Sequence, residues 1–364
     1  MSARPIEHAP RRILLVATRR IGDVLLITPL VRSLRQAWPD AAIDALVFEH
    51  TQGFLLHNAD LRRVITVPAR PGLMQHAALL ARLARSYDLA LSTLTSDRAV
   101  LYTWVAGRRR VALLDPAAKH AWKQRLMSHW VSFDDRDTHT VLMNLRLADA
   151  LGIRRDYRVV PGWDRDDEHA LAGRLPFDSN AERYAVLHPY PKYPYKMWRG
   201  AGWAELAQWL SAREIRCVLT GSADADELAY VEAIRQRLPA SAVSVAGKLT
   251  LAQSALLISR ARLYVGPDTA LTHAAAAVGT PTVALYGPSN PVKWGPWPCD
   301  YAQDSNPYQL RGSQRVGNVF LLQGEGDCVP CMEEGCDRHV ASYSRCLQNM
   351  SAARVIAAVE AVLA

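Results

Sequence analysis

Hydrophobic and polar positions alternate along the chain in a regular rhythm. "RRILLVAT", Arg11 to Thr18, is a short apolar run closed by a turn. "IGDVLLITPLVRSLRQAWPD" then carries apolar residues at helical spacing and predicts one amphipathic helix ending at Pro39. "AIDALVF", "RRVITVP", "YDLALSTL" and "RRVALLD", the last from Arg109 to Asp115, repeat the short apolar run, with helical stretches expected over 52–58 and 72–85. Such alternation is the sign of a parallel sheet with crossover helices.

From about Asp156 to Arg183 the composition turns polar and charged, which places a connection there. A second set follows: "YAVLHP", helix 201–213, "IRCVLTGS", helix 224–237, "AVSVAG", helix 250–259, "ARLYVGP", helix 270–278 and "PTVALYGP". The fold class expected is therefore α/β, with two Rossmann-like domains facing each other across a cleft and ligands bound beyond the carboxyl ends of the strands. The divisions are 1–160, a linker over 161–183, a second domain over 184–348 and a closing helix over 349–364. A chain of 364 residues fits two domains, because single cores stop growing near roughly 250–300 residues.

Composition narrows the function. With 49% hydrophobic and 21% charged residues the chain can bury full cores, so disorder is excluded. The net charge of +8 favours acidic partners such as phosphorylated sugars, anionic head groups or nucleic acid, though it equally suits a generally basic soluble protein. No uncharged apolar run approaches the roughly 20 residues of a spanning helix. The N-terminal "MSARPIEHAPRRILLVATRR" is broken by arginines and is a poor signal peptide, so a cytoplasmic location with contact to a membrane surface is expected. Basic residues are scattered and no aromatic-basic module appears, so nucleic acid is not expected as a partner.

Candidate chemistry lies after the strands. In "GPDTALTHAAAAVGTPTVALYGP", Asp268, Thr269 and His273 fall at the start of a helix, where unpaired N–H groups and a partial positive charge suit a phosphate. Asp268 or Thr269 as a plain helix cap is the competing reading. Asp23 in "RRIGDVLLITP" follows the first strand and points either to a ligand or only to its helix dipole. Lys196 in "HPYPKYPYKMW" is placed to meet phosphate charge, with a solvated lysine as the alternative. Asp224, Asp226 and Glu227 in "TGSADADEL" suit ribose hydroxyls, or else an acid-rich helix start. Neither G-x-G-x-x-G nor a P-loop occurs, which disfavours dinucleotide oxidoreductases and P-loop enzymes. Of six cysteines, Cys217 sits in an apolar run, whereas Cys328, Cys331, Cys336 and Cys346 are spaced C-x2-C-x4-C-x9-C. That spacing suits a tetrahedral structural zinc or iron, with His339 as a substitute ligand, or a loop of reduced thiols.

Taken in order, these segments resemble glycosyltransferase family 9, the ADP-heptose:lipopolysaccharide heptosyltransferases, and among them the type that adds the third inner-core heptose. The resemblance rests on "RRIGDVLLITPLVRSLRQAWPDAAIDALVF", "YKMW", "VLTGSADADEL", "VAGKLTLAQSALLI" and "GPDTALTHAAAAVGTPTVALYGPSNPVKWGPW", from Arg12 through about Trp297. It implies a GT-B fold, metal-independent inverting transfer without a catalytic cofactor, an ADP-heptose donor held mainly by the second domain, and a lipopolysaccharide core acceptor met by the first, peripherally at the inner membrane. It further implies Asp23 as general base, Lys196 against the donor diphosphate, and Asp268 at the donor sugar. Thr269 and Ala270 then give N–H groups to phosphate with His273 close by, and Glu227 or else Asp226 takes the ribose. Many members carry Gly where this chain has Ala270, and the cysteine segment lies outside the core motif.

The acceptor-binding residues are not assigned; "GRRRV", Arg108 to Arg110, and "KHAWKQR", Lys119 to Arg125, are basic candidates or solvated faces. Two further readings stay open: the same chemistry on a protein or small-molecule acceptor, and a non-catalytic nucleotide-sugar-binding protein.

Overall fold

A computed structural model describes residues 8–364. Of the N-terminal stretch read as a poor signal peptide, residues 1–7 lie outside the described residues. The chain divides into two compact units, one ending at Gly162 with Ala302–Ser305 added, the other comprising Trp163–Tyr301 and Asn306–Ala364. The stretch 161–183, expected as linker, contains the helix Arg165–Arg174, which opens with a capping box on Asp164.

The first unit is built on strands β1 Arg12–Val16, β2 Ala42–Phe48, β3 Arg63–Val67, β4 Tyr87–Ser92, β5 Gly107–Leu114 and β6 His129–Ser132. They pair in the order β3-β2-β1-β4-β5-β6, all parallel. The second unit has β7 Tyr184–Leu187, β8 Arg216–Leu219, β9 Val243–Ser244, β10 Leu263–Pro267, β11 Thr282–Tyr286, β12 Gln314–Val316 and β13 Val319–Gln323. Its order is β12-β13-β11-β10-β7-β8-β9, parallel except for the β12–β13 pair. Apart from the antiparallel edge strand β12, both sheets therefore follow one doubly wound order. Each changes direction between its first and fourth strands, β1/β4 and β7/β10, and such a switch point opens a crevice at the carboxyl edge.

β1, β7, β10 and β11 are almost wholly buried, as strands covered by helices on both faces must be. The closing helix Ala352–Leu363 places Val355, Ala358, Val359 and Val362 in the core of the second unit. Among the described residues no helix is long and apolar enough to cross a membrane.

Two local expectations are corrected. The helix expected from Ile21 to Pro39 is two helices, Ile21–Leu25 and Thr28–Ala37. Pro29 has no N–H to return to the carbonyl of Leu25, and the Thr28 hydroxyl donates to that carbonyl instead, at 2.8 Å. The stretch 52–58 is a run of turns, with Leu55 N–H bonded to Gln52 O and Asn58 N–H to Leu55 O.

Candidate active site

At the switch point of the second unit, the loop after β7 carries Lys196 in the short 3-10 turn Pro194–Lys196, and Asp268 directly follows β10. Lys196 Nζ donates to Asp268 Oδ2 at 2.5 Å. Ser289 Oγ donates to the same oxygen at 2.7 Å, while Tyr286 OH reaches Oδ1 at 3.3 Å and His273 Nε2 lies 4.0 Å from it. Asp268 is thus held by side chains from the loop after β7, from the end of β11 and from the next helix. It does not cap that helix. Thr269 is the N-cap residue of Ala270–Ala277, yet it makes no side-chain capping bond, and its hydroxyl pairs with Thr272 at 3.2 Å. The helix packs through Leu271–Ala276, all buried, so its amino end is set at the carboxyl edge with Ala270 in the first turn.

Burial pushes the Asp268 carboxyl up, but the Lys196 charge, His273 and the hydrogen bonds from Lys196 and Ser289 hold it below the usual carboxylate range. It is an anion at neutral pH. Burial lowers His273 to about 4, against the pull of Asp268, so its imidazole is neutral. His273 Nδ1 is buried and has no hydrogen-bond partner among the described residues. A neutral imidazole and an N-cap without a side-chain bond, beside a lysine-bound carboxylate, suit an anionic ligand that brings its own hydrogen-bonding groups.

Beyond β8, Asp224 caps the helix Ala225–Arg235, accepting from Asp226 N at 3.1 Å and Glu227 N at 3.3 Å. Asp226 is exposed on that first turn. Glu227 is buried, takes a hydrogen bond from Ser222, and has its carboxyl raised by burial.

In the first unit, Asp23 stands in the first turn of the helix Ile21–Leu25, directly after β1 at its switch point. Its side chain is 12% exposed and lies 3.9 Å from Arg19 Nη1. The basic candidates divide by sheet edge. Arg108–Arg110 begin β5 and so sit at its amino end, away from the edge where ligands gather. Lys123 is buried and committed to Asp97 at 2.6 Å and Thr95 O at 2.7 Å, whereas Lys119 and Arg125 are exposed.

Cys217 is buried in the core of the second unit, its thiol pushed up to about 12 by burial. All six cysteines are free thiols. Cys346 lies against Gly287, where an added Cβ would come within 3.0 Å of its sulfur. Burial first, then the proximity of Cys331, Cys336 and Cys328, raises the Cys346 thiol to about 11. The N–H of Arg345 donates to Cys336 Sγ at 3.3 Å. Among the described residues no three of these sulfurs lie within 4.8 Å of one another, so closing them on one ion takes side-chain rotation.

Sequence reasoning did not single out Tyr286, Ser289 or His188. The first two lie in "LYGPSNP", Tyr286 as the last residue of β11 and Ser289 just past it, and their signal was an apolar strand ending in a Gly-Pro turn at the same edge as that of β10. His188 follows β7, is buried against Thr220 Oγ1 at 3.2 Å, and is lowered to about 4 by burial.

Comparison with known proteins agrees with this architecture. The profile of glycosyltransferase family 9 (heptosyltransferase) matches residues 76–318. The chain is 28% identical to lipopolysaccharide heptosyltransferase 3 of Escherichia coli K12 over 76% of its own length and 82% of the relative's. The solved E. coli heptosyltransferase WaaC with ADP superposes with a TM-score of 0.72 at 21% identity, covering 96% of this chain and 99% of that one. The iron-containing glycosyltransferase TibC of enterotoxigenic E. coli superposes with a TM-score of 0.52 at 15% identity, covering 100% and 77%. With two doubly wound sheets of one order and a family match over most of its length, the chain is a glycosyltransferase of GT-B fold that belongs to glycosyltransferase family 9.

Proposed function

We propose that the chain transfers a heptose from ADP-heptose to the inner core of lipopolysaccharide, inverting the anomeric centre, and that it adds the third heptose. The observation that carries this reading is the Lys196–Asp268 pair at the switch point of the second unit, inside the region matched by the family profile. Its type is supported by the similarity to a lipopolysaccharide heptosyltransferase 3.

The second unit takes the donor. Lys196 and the amides of Thr269 and Ala270 meet the diphosphate, and Lys196 stabilises the charge that grows on departing ADP. Asp268, already anionic, orients Lys196 and accepts from the donor sugar, while neutral His273 offers a further hydrogen bond. Glu227, the inward acid of its helix, accepts from the ribose; exposed Asp226 is the weaker candidate. The first unit takes the acceptor. Asp23 accepts the proton of the acceptor hydroxyl as its oxygen bonds to the anomeric carbon, and the bond from that carbon to the phosphate oxygen breaks to release ADP. No metal or cofactor takes part in this step.

The four cysteines of the 328–346 segment suit one structural metal, zinc or iron, and a relative of the same fold is named as iron-containing. The net charge of +8 suits work at an anionic surface, and we place the chain on the cytoplasmic side of the inner membrane as a peripheral protein.

The test is ADP release from ADP-heptose, with and without deacylated inner core ending in two heptoses. Release that depends on the acceptor supports the reading. Donor binding without release directs the search to a protein or small-molecule acceptor, and absence of donor binding overturns it.

A further inference from the structure

The backbone on both sides of Lys196 is held from the cysteine segment. Ser344 Oγ donates to Tyr195 O at 2.6 Å, and Gln348 Nε2 donates to Met197 O at 2.8 Å. Ser344 is buried, and the Trp198 indole continues the seam by donating to Met350 O at 2.8 Å. Gly335 fits where an added Cβ would stand 2.9 Å from Tyr195 Cβ. The same segment reaches the other half of the pair, because Met332 N–H donates at 2.8 Å to Pro288 O, directly before the serine that bonds Asp268. A side chain at Gly287 would strike both Leu347 and Cys346. Ser344 and Gln348 flank Cys346, so whatever fixes that sulfur fixes the two residues that grip the Lys196 turn.

Four sulfurs from one segment, one of them already accepting a backbone N–H, make up the donor set of a tetrahedral metal site, and a single bound cation would draw them together. We propose that Cys328, Cys331, Cys336 and Cys346 bind one metal ion, and that this closure positions Lys196 through Ser344 and Gln348. The metal touches neither donor nor acceptor; it acts on the loop. This inference rests on the donor role given to Lys196.

The probe is Co(II) added under reducing conditions to the full chain after treatment with a chelator. Wild type is expected to take up one equivalent with the thiolate-to-cobalt absorption of a tetrahedral site, and Cys331→Ser to weaken that binding at least about tenfold. Loading should slow hydrogen exchange at the amides of residues 195–198. In a Ser344→Ala/Gln348→Ala variant, cobalt should still bind, but those amides should exchange quickly and donor turnover should fall about tenfold with the acceptor KM unchanged. Ser344→Thr should restore the part owed to the hydroxyl. Absence of the cobalt spectrum, disulfides among these cysteines in the native protein, or loading that leaves exchange at 195–198 unchanged would overturn the proposal. If Lys196→Ala left turnover intact, the donor role of Lys196 would fail, whereas the clamp would still stand or fall on the spectrum and the exchange.

Discussion

Both units bury an aspartate among basic and hydroxyl partners on sheets of the same order, but at opposite edges. In the first unit Asp44 is fully buried, with Arg62 Nε at 2.9 Å, Arg63 Nε at 3.0 Å and Tyr87 OH at 2.7 Å. Arg63 opens β3 and Tyr87 opens β4, so this cluster ties together the amino ends of the strands. In the second unit Asp268 follows the last residue of β10, and its cluster stands at the carboxyl edge. Burial raises both carboxyls, and partners more than reverse that in both. The same electrostatics thus aligns strands at one edge and, in the function proposed above, serves ligand binding at the other. Perturbed ionisation marks a site only when the topology puts it where a ligand can come.

The comparison assigns chemistry to carboxyl edges, and the largest effect that can break it is at Asp23. Asp23→Asn keeps the shape and removes the proposed base, so turnover should fall about 10³-fold with ADP affinity unchanged by calorimetry. A fall of less than tenfold would take Asp23 out of that role. Next comes Lys196→Ala, which should lower turnover about 10²-fold and also weaken ADP binding if, as proposed, the lysine meets the diphosphate before and during transfer. Unchanged ADP affinity would detach Lys196 from the donor.

The two aspartates themselves give a paired test. Asp44→Asn leaves Arg62, Arg63 and Tyr87 without their shared anion and should lower unfolding free energy by about 2–4 kcal/mol, with turnover per folded molecule unchanged. Both arginines have side chains 40% exposed, and water limits the loss. Asp268→Asn should instead cut turnover at least about tenfold, and because Lys196 then loses its buried anion it should also lower stability, by about 1–3 kcal/mol. Urea unfolding beside initial rates for the pair decides it. Matching behaviour of the two variants would erase the distinction between edges.

The order of strands and helices was legible because buried parallel strands read as short apolar runs, and the residues after them could be named at once. Much of what was lost is short or polar, but the apolar strand β13 and the buried helix Thr140–Leu151 were missed as well. The edge strands β6 and β12 span four and three residues and carry little apolar signal. Pro29 broke an amphipathic pattern that continues unbroken through it, and only the missing N–H explains the break. Of the candidate residues, Asp23 in the first unit and Lys196 and Asp268 in the second were named from their place after strands. The partners that hold them were not. Ser289 meets Asp268 across 21 positions, and Ser344 meets Tyr195 across 149, distances over which local pattern carries no information. Of the two acids offered for the ribose, Glu227 first and Asp226 as the fallback, the first is buried and the second exposed, a difference the sequence did not carry.

The last expected effect concerns pH, and it again divides the units. His188 and His273, both fully enclosed in the second unit, are lowered by burial to about 4 from an ordinary 6.5. Between those values the unfolded chain binds protons that the folded unit refuses. Neutral burial therefore adds full stability above about pH 6.5, and this is lost progressively as pH falls toward 4. At pH 5 each histidine should cost the second unit about 2 kcal/mol relative to pH 7.5. The Asp44 cluster runs on a lower window: its carboxyl is held below 3.8, so its contribution persists through pH 5 and is lost only as pH drops further. Urea unfolding at pH 7.5 and 5, followed through the buried Trp198 and Trp203, should show the second unit weakening across this range, and His188→Gln should remove about half of the loss. A second unit equally stable at both pH values would mean that these histidines keep ordinary pKa values in the folded protein, so that His273 would be cationic at pH 5 though still neutral at pH 7.5.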